Sequence, residues 1–225
     1  MKLLCIDTSS DVCSVAILED GKLIKELNKT DSKTHSENLM PLIDSLFKET
    51  NLKLSDMNAI ACSIGPGSFT GIRIGIASAK AMAEVMQIPV IGVTSLETLA
   101  YLSETQDTIV SLIDAKNNQV YCGIFDNNFK SKEEYLATDI TEVIAHLKKY
   151  SRISFVGNGF IVHKELLKSE LPNVTFSGKN TQSAFALGKC AFEKWENGET
   201  LTADTILPLY LRPSQAERMK QNSGM

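Results

Sequence analysis

The chain carries the same opening pattern twice. Leu3 to Asp7 is a short apolar run that ends in an acid, followed by the polar turn Thr8-Ser9-Ser10-Asp11 and a second apolar run, Val12 to Leu18. Ile109 to Asp114 is again an apolar run ending in an acid, followed by a polar turn, Ala115 to Asn118, and an apolar run, Val120 to Phe125. Asp7 and Asp114 correspond at a spacing of 107 residues, and that spacing also sets Ile6 on Ile113, Ile17 on Ile124 and Leu18 on Phe125. A period of about half the chain is too long for a solenoid and reads as a duplicated domain. A length of 225 residues admits one large domain or two small ones. The repeat selects two, residues 1–104 and 105–212, which meet in the polar stretch Ser103-Glu104-Thr105-Gln106-Asp107. Residues 213–225 are polar and are expected to be a loose tail.

The spacing of apolar residues supplies the elements. Asp20-Gly21 after the second apolar run is a strong hairpin signal, because Gly tolerates positive φ. Leu23 to Leu27 then completes a three-strand meander, and Asp126-Asn127-Asn128 is a second hairpin turn. Leu39, Leu42, Ile43, Leu46 and Phe47 fall on one helical face, with Thr34 or Ser36 as its cap. Strands are expected at 58–64 and 89–93, and helices at about 70–86 and 95–102. The second half repeats this, with helices at about 141–149, 160–168 and 182–196 and a strand at 153–156. The fold class is therefore α/β: duplicated domains of mixed sheets flanked by helices, the second half reduced.

Composition excludes several functions. Twenty-three basic and 27 acidic residues give a net charge of -4, so the chain has no global electrostatic grip on nucleic acid. No apolar stretch approaches the length of a membrane helix, and an N-terminus with an acid at Asp7 and no long apolar run does not read as a signal peptide. The five cysteines are scattered and form no C-x-x-C pair, as expected of reduced thiols in a cytoplasmic protein.

The most unusual local sequence is Gly65-Pro66-Gly67-Ser68-Phe69-Thr70-Gly71-Ile72-Arg73, between a strand and a helix. Such a loop can hold an anion on backbone N–H groups. It fails the phosphate-loop and dinucleotide patterns, however, since position 70 is Thr70 and no lysine follows. The alternative is that the glycines permit a sharp turn and close packing. Arg73 lies near the start of the helix, where the dipole disfavours a cation, so it calls for a local acid, an anion or a partner's carboxylate. The helix after the loop is apolar nearly all round, and Met40 lies off the core face of the preceding helix. Excess apolar surface on two neighbouring helices suggests a protein–protein interface. Its expected residues are Asn38, Leu39, Met40, Leu42, Arg73, Ile76, Ala79, Met82 and Ala83, with simple core packing as the other reading.

No catalytic set emerges. His35, His146 and His163 have no metal-pair spacing, and no G-x-S-x-G elbow is present. Asp7, with Thr8 and Ser9, could hold a cofactor's magnesium ion or a water at a strand end, or simply cap a turn. Tyr210-Leu211-Arg212-Pro213 reads as a terminal anchor or a strand-end tether.

Four segments carry a resemblance: Asp7-Thr8-Ser9; His35-Ser36-Glu37-Asn38-Leu39 with Pro41-Leu42-Ile43; the glycine-rich loop 65–73; and Pro208-Leu209-Tyr210-Leu211-Arg212. Together with the duplication they resemble the actin-like, ribonuclease H-like superfamily of sugar kinases, heat-shock chaperones and actin. More closely, the chain resembles the bacterial TsaB (YeaZ) family nearly end to end. The resemblance implies a non-catalytic subunit of the apparatus that makes threonylcarbamoyladenosine at position 37 of tRNAs reading ANN codons. It implies binding to the related TsaD-type catalytic subunit, a TsaE-type ATPase as a further partner, homodimers through the first two helices, and tRNA held mainly by the complex. It assigns this chain no catalytic residue, metal or cofactor of its own, with an adenine nucleotide at the subunit contact left open. Where the catalytic relative carries two metal-binding histidines, this chain has Ser95 and Leu99, neither a good ligand. Older glycoprotease names find no peptidase mechanism in the residues. One departure is Asp114-Ala115-Lys116, where the family usually has Asp-Ala-Arg; a contact needing a bidentate arginine would be weakened. The alternative function is a small-molecule phosphotransferase of the same fold using Asp7.

Overall fold

A computed structural model describes residues 1–30 and 34–212; the expected tail at 213–225 lies outside the described residues. β1 (Lys2–Asp7), β2 (Cys13–Glu19) and β3 (Lys22–Lys29) form the meander, and Asp20 and Gly21 turn with φ of 48° and 73° as a two-residue hairpin requires. There follow α1 (His35–Thr50), β4 (Ala59–Gly65), α2 (Phe69–Met86), β5 (Val90–Thr94) and α3 (Ser95–Ala100). The second half runs β6 (Thr108–Asp114), β7 (Gln119–Phe125), β8 (Leu136–Asp139), α4 (Ile140–Leu147), β9 (Ile153–Val156), α5 (Asn158–Glu170), β10 (Val174–Phe176) and α6 (Ala184–Glu196). The sheets have the same order, β3-β2-β1-β4-β5 and β8-β7-β6-β9-β10, with the meander antiparallel and the last two strands parallel to the first. The connection after β7 departs from a tight hairpin: a turn at Asp126–Lys130 and an isolated Phe125–Ser131 bridge precede β8.

The duplication holds in topology, but its register needs a correction. Leu4 pairs with Ile17 in the first sheet and Val110 with Ile124 in the second. The spacing of 107 residues is thus right for β2 and β7, while β1 and β6 match at one residue less. The turn between β6 and β7 holds the extra residue. Because strand side chains alternate, a one-residue slip changes faces. Ile6 faces the core under α1 and α2, whereas Ile113 faces the opposite side of its sheet, toward α3. Asp7 and Asp114 are therefore not equivalent positions.

The packing units also differ from the sequence halves. α1 and α2 cover one face of the first sheet, on Leu4, Ile6, Val15 and Ile17. The other face, Leu3, Cys5, Ala16 and Leu18, is covered by α6 from the second half, through Ala184, Leu187, Cys190 and Ala191. In return α3 lays Leu96, Leu99 and Ala100 on Ile109, Ile113 and Phe125 of the second sheet. Residues 184–206 thus pack on the first lobe, not the second as a division at residue 104 would have it; Leu201 bridges to Val90 and Ile206 is buried under the first sheet. Glu26 of β3 fixes the start of α6, accepting from the Ser183 hydroxyl (2.7 Å) and the Phe185 N–H (3.0 Å).

Leu187 is fully buried in this exchanged contact. Leu187→Ala should cost about 2–5 kcal/mol of stability, read by urea unfolding; a cost near zero would mean α6 does not complete the first lobe.

Candidate functional site

The end of β1, the glycine-rich loop and the start of α1 meet at one point. Asp7 is fully buried. Its Oδ1 accepts the Ser9 N–H (2.9 Å) and the Ser9 hydroxyl (2.6 Å), while Oδ2 has no hydrogen-bond partner. The Thr8 hydroxyl donates to the Gly71 carbonyl (2.7 Å), the Ser68 N–H donates to the Ser9 carbonyl (2.8 Å), and His35 Nε2 lies 2.7 Å from the Ser10 carbonyl. Ser68 also caps α2, its hydroxyl accepting the Gly71 N–H at 3.2 Å. Thr34 caps α1, and Glu37 accepts the Thr34 N–H in return at 3.0 Å.

The glycines exist for this contact. A Cβ on Gly67 would stand 2.2 Å from the Ser9 carbonyl oxygen, one on Gly71 2.0 Å from that of Thr8, and one on Gly75 2.4 Å from the Thr8 hydroxyl. Spaced four apart, they let α2 begin by lying flat on the Asp7–Ser9 turn. The loop is a close-packing device at these positions, where an anion cradle would need open N–H groups. Thr8 and Ser9 are buried with Asp7 and bonded within the chain. Burial pushes the Asp7 carboxyl up to about 6, against the Ser9 hydrogen bonds and the His35 charge, which pull it down.

Beside this contact a cleft of about 360 Å³ separates the lobes, with Ser9, Ser10 and Ser68 on one wall and Asp114, Lys116 and Asn158 on the other. Lys116, where an arginine was expected, is used locally: its N–H and its ammonium both bond Asp114, each at 2.9 Å. Burial works to raise the Asp114 carboxyl, but these bonds outweigh it and hold it below the usual range. Ser95 and Leu99 are buried, and Ser95 shares a 3.0 Å hydroxyl contact with Ser63. Among the described residues no group of three or more His, Cys, Asp or Glu side chains could hold a metal ion.

The expected interface residues divide. Leu39, Ile76, Ala79 and Ala83 belong to the chain's own core, and Asn38 is buried as well. Leu39, Ile76, Ala79 and Ala83 pack on the face of the first sheet that carries Leu4, Ile6, Val15 and Ile17. Met40 and Arg73 are exposed, and Leu42 and Met82 are partly so. The outward stripe of α2 is instead Phe69, Arg73, Ala77, Ala81 and Val85, all exposed, with Val85 at 80%. Its i, i+4 spacing was readable in the sequence once the core face was assigned. Tyr210 was the residue hardest to place from sequence alone: it lies 137 positions from Arg73 yet accepts the Arg73 Nε–H at 2.8 Å. Elsewhere, Glu133 takes hydrogen bonds from Lys149, Tyr150 and His146 and falls to about 2, pinning the connection before β8 to the end of α4.

Two lobes of one topology, joined by exchanged helices with an acid turn at the end of the first strand, define a member of the actin-like fold class. Distant solved structures share that fold, among them an activator of 2-hydroxyisocaproyl-CoA dehydratase from Clostridium difficile (TM-score 0.53, 13% identity, 93% of this chain and 100% of that one). Residues 28–206 match the family described as TsaD, tRNA N6-adenosine threonylcarbamoyltransferase. The chain is 32% identical to the tRNA threonylcarbamoyladenosine biosynthesis protein TsaB of Bacillus subtilis, over 96% of both chains. Its identity to the protein of that name from Escherichia coli is 28%, again over 96% of both. The structure of YeaZ from Pseudomonas aeruginosa superposes with a TM-score of 0.81 at 28% identity, over 93% of this chain and 99% of that one. The chain belongs to the TsaB family.

Asp7 supplies a test of the sealed turn. Its folded value of about 6 exceeds the ordinary 3.8, so the folded state holds the extra proton between these values and stability falls as pH rises through them. The loss is complete above pH 6 and amounts to about 3 kcal/mol. Asp7→Asn should lack this fall, so unfolding free energies of parent and variant should diverge between pH 4 and pH 7. Parallel curves would show that Asp7 titrates at its ordinary value.

Proposed function

We propose that this chain is a non-catalytic subunit of the machinery that forms threonylcarbamoyladenosine in tRNA, holding a TsaD-type transferase through the outer face of α1 and α2. The role in threonylcarbamoyladenosine biosynthesis follows from membership of the TsaB family. The observation that carries the mode of action is the exposed stripe of α2. Phe69 to Val85 spans about 24 Å of helix with Ala77 and Ala81 at its centre, and Met40 stands 51% exposed on α1 of the same layer. Small residues at the centre let a second helix pair approach closely, while the apolar ends supply buried area. A two-fold pairing of the same faces would make a homodimer when the transferase is absent.

The Asp7 turn supports the accessory role, because the carboxyl is fully buried and its Oδ1 is taken up by Ser9. A phosphotransferase using Asp7 is not favoured for the same reason. A TsaE-type ATPase is a further partner in this reading. tRNA is held mainly by the assembly, in keeping with a net charge of -4. The site of action is the cytoplasm; among the described residues no helix is long and apolar enough to cross a membrane.

Ala81→Asp places a charge in the middle of the outer stripe without touching the core. It should weaken association with the TsaD-type transferase by tenfold or more in calorimetry, about 1.4 kcal/mol, with an unchanged melting temperature. Equal affinity would overturn this use of α2.

A further inference from the structure

Arg73 stands in the second turn of α2, past the first turn in which the helix dipole acts most strongly on a cation. Among the described residues no carboxylate lies within ion-pair distance of its guanidinium. What surrounds it is neutral. Its Cζ lies 3.8 Å from the centroid of the Phe69 ring and 5.7 Å from that of Tyr210. The two rings are stacked at 5.0 Å, and Nε donates to the Tyr210 hydroxyl at 2.8 Å. Tyr210 is itself fixed, because the neighbouring Leu209 N–H donates to the Ile64 carbonyl at 2.7 Å. The arrangement holds the guanidinium plane and uses one of its five N–H donors, and among the described residues the four on the terminal nitrogens have no partner. Ring faces attract the cation but give those donors no acceptor.

An arginine immobilised in this way has already lost much of the side-chain freedom that binding would cost it, and it presents the planar fork that matches a carboxylate. It lies on the outer stripe of α2, between Phe69 and Ala77. We infer that Arg73 is the charged anchor of the partner-binding face and takes a carboxylate, a glutamate or aspartate of the partner protein, in bidentate fashion. Tyr210 is a positioning residue for it. The C-terminal segment 207–212 is then part of the docking surface, since it brings the hydroxyl that orients the fork. This inference rests on the proposed docking of a protein partner on α2 and adds the chemistry of one contact. It also gives the interface direction, because a partner without an acid at this point leaves the guanidinium desolvated and unpaired.

The test measures association of the full chain with the TsaD-type transferase by calorimetry at about 50 mM and about 500 mM salt, without RNA and then with tRNA. Arg73→Lys, Arg73→Gln and Tyr210→Phe are compared with the parent, and Ala81→Asp reports on the face as a whole. Melting temperatures check that each variant folds. At low salt Arg73→Lys and Arg73→Gln should each weaken binding about tenfold, and Tyr210→Phe about threefold. The Arg73→Gln penalty should shrink at high salt, which a purely packing role would not produce. If Arg73→Gln binds within twofold of the parent while Ala81→Asp binds weakly, the carboxylate anchor is overturned and the docking face stands. If neither substitution weakens binding, both are overturned. A penalty that appears only with tRNA would mean the fork takes a phosphate, and overturns the inference.

Discussion

The seating of α2 on the Asp7–Ser9 turn is the contact from which much of the first lobe follows. Three glycines at four-residue intervals remove the Cβ atoms that would otherwise stand 2.0–2.4 Å from Thr8 and Ser9. Two hydrogen bonds from opposite directions, Thr8 to Gly71 and Ser68 to Ser9, then lock helix and turn together. The same seat sets the rotation of α2. With Gly71 and Gly75 against β1, Ile72, Ile76, Ala79 and Ala83 must enter the core, and Phe69, Arg73, Ala77, Ala81 and Val85 must face outward. The contact with Thr8 and Ser9 thus also decides which face of α2 is exposed.

The second half shows what the fold does without that seat. β9 ends at Val156, and the next residue, Gly157, whose φ of 102° matches the 101° of Gly65, caps α5 directly. The Asp114 turn lines the cleft between the lobes, bonded by Lys116 and, through its N–H, by Asn158. Two acids that each bond the N–H two residues onward are therefore shifted in opposite directions. Burial raises Asp7, while the partner lysine offsets burial at Asp114 and lowers it. The lobes are tied by their exchanged helices α3 and α6, so neither sheet has both faces covered by its own half of the sequence.

Much of this was legible in the sequence. The run of apolar residues located the meander and the main helices, and Asp20-Gly21 marked its turn, while Asp126-Asn127-Asn128, read as a second hairpin turn, leads into a longer connection, and the left-handed residues lie at Lys116, Asn117 and Asn118. Three things were not. The face reversal between Ile6 and Ile113 comes from one extra residue in a turn, which leaves residue types matched while the pleat is not. The crossing of α6 to the first sheet depends on Glu26 and Ser14 binding its first N–H groups and on Leu18 packing against Gly188, contacts more than 150 positions apart. Leu39 and Ile76 look the same in a helix whether they face a sheet or a partner, so an all-round apolar helix announced an interface without telling which side carries it. Arg73 is the converse: the sequence left a local acid, an anion or a partner's carboxylate open for it, and the fold puts Phe69 and Tyr210 beside it with no carboxylate of the described residues in reach.

The proposed accessory role requires that Asp7, at the end of the first strand of an actin-like fold, serve the turn it is buried in and not a reaction. The most direct test is reconstitution of threonylcarbamoyladenosine formation on tRNA from the purified transferase, ATPase and this chain carrying Asp7→Asn, at a temperature where the variant is folded and associates normally. The account predicts modification at a rate within about threefold of the parent mixture. A fall of about 100-fold or more, the scale of a lost acid–base group, would contradict it and return Asp7 to chemistry.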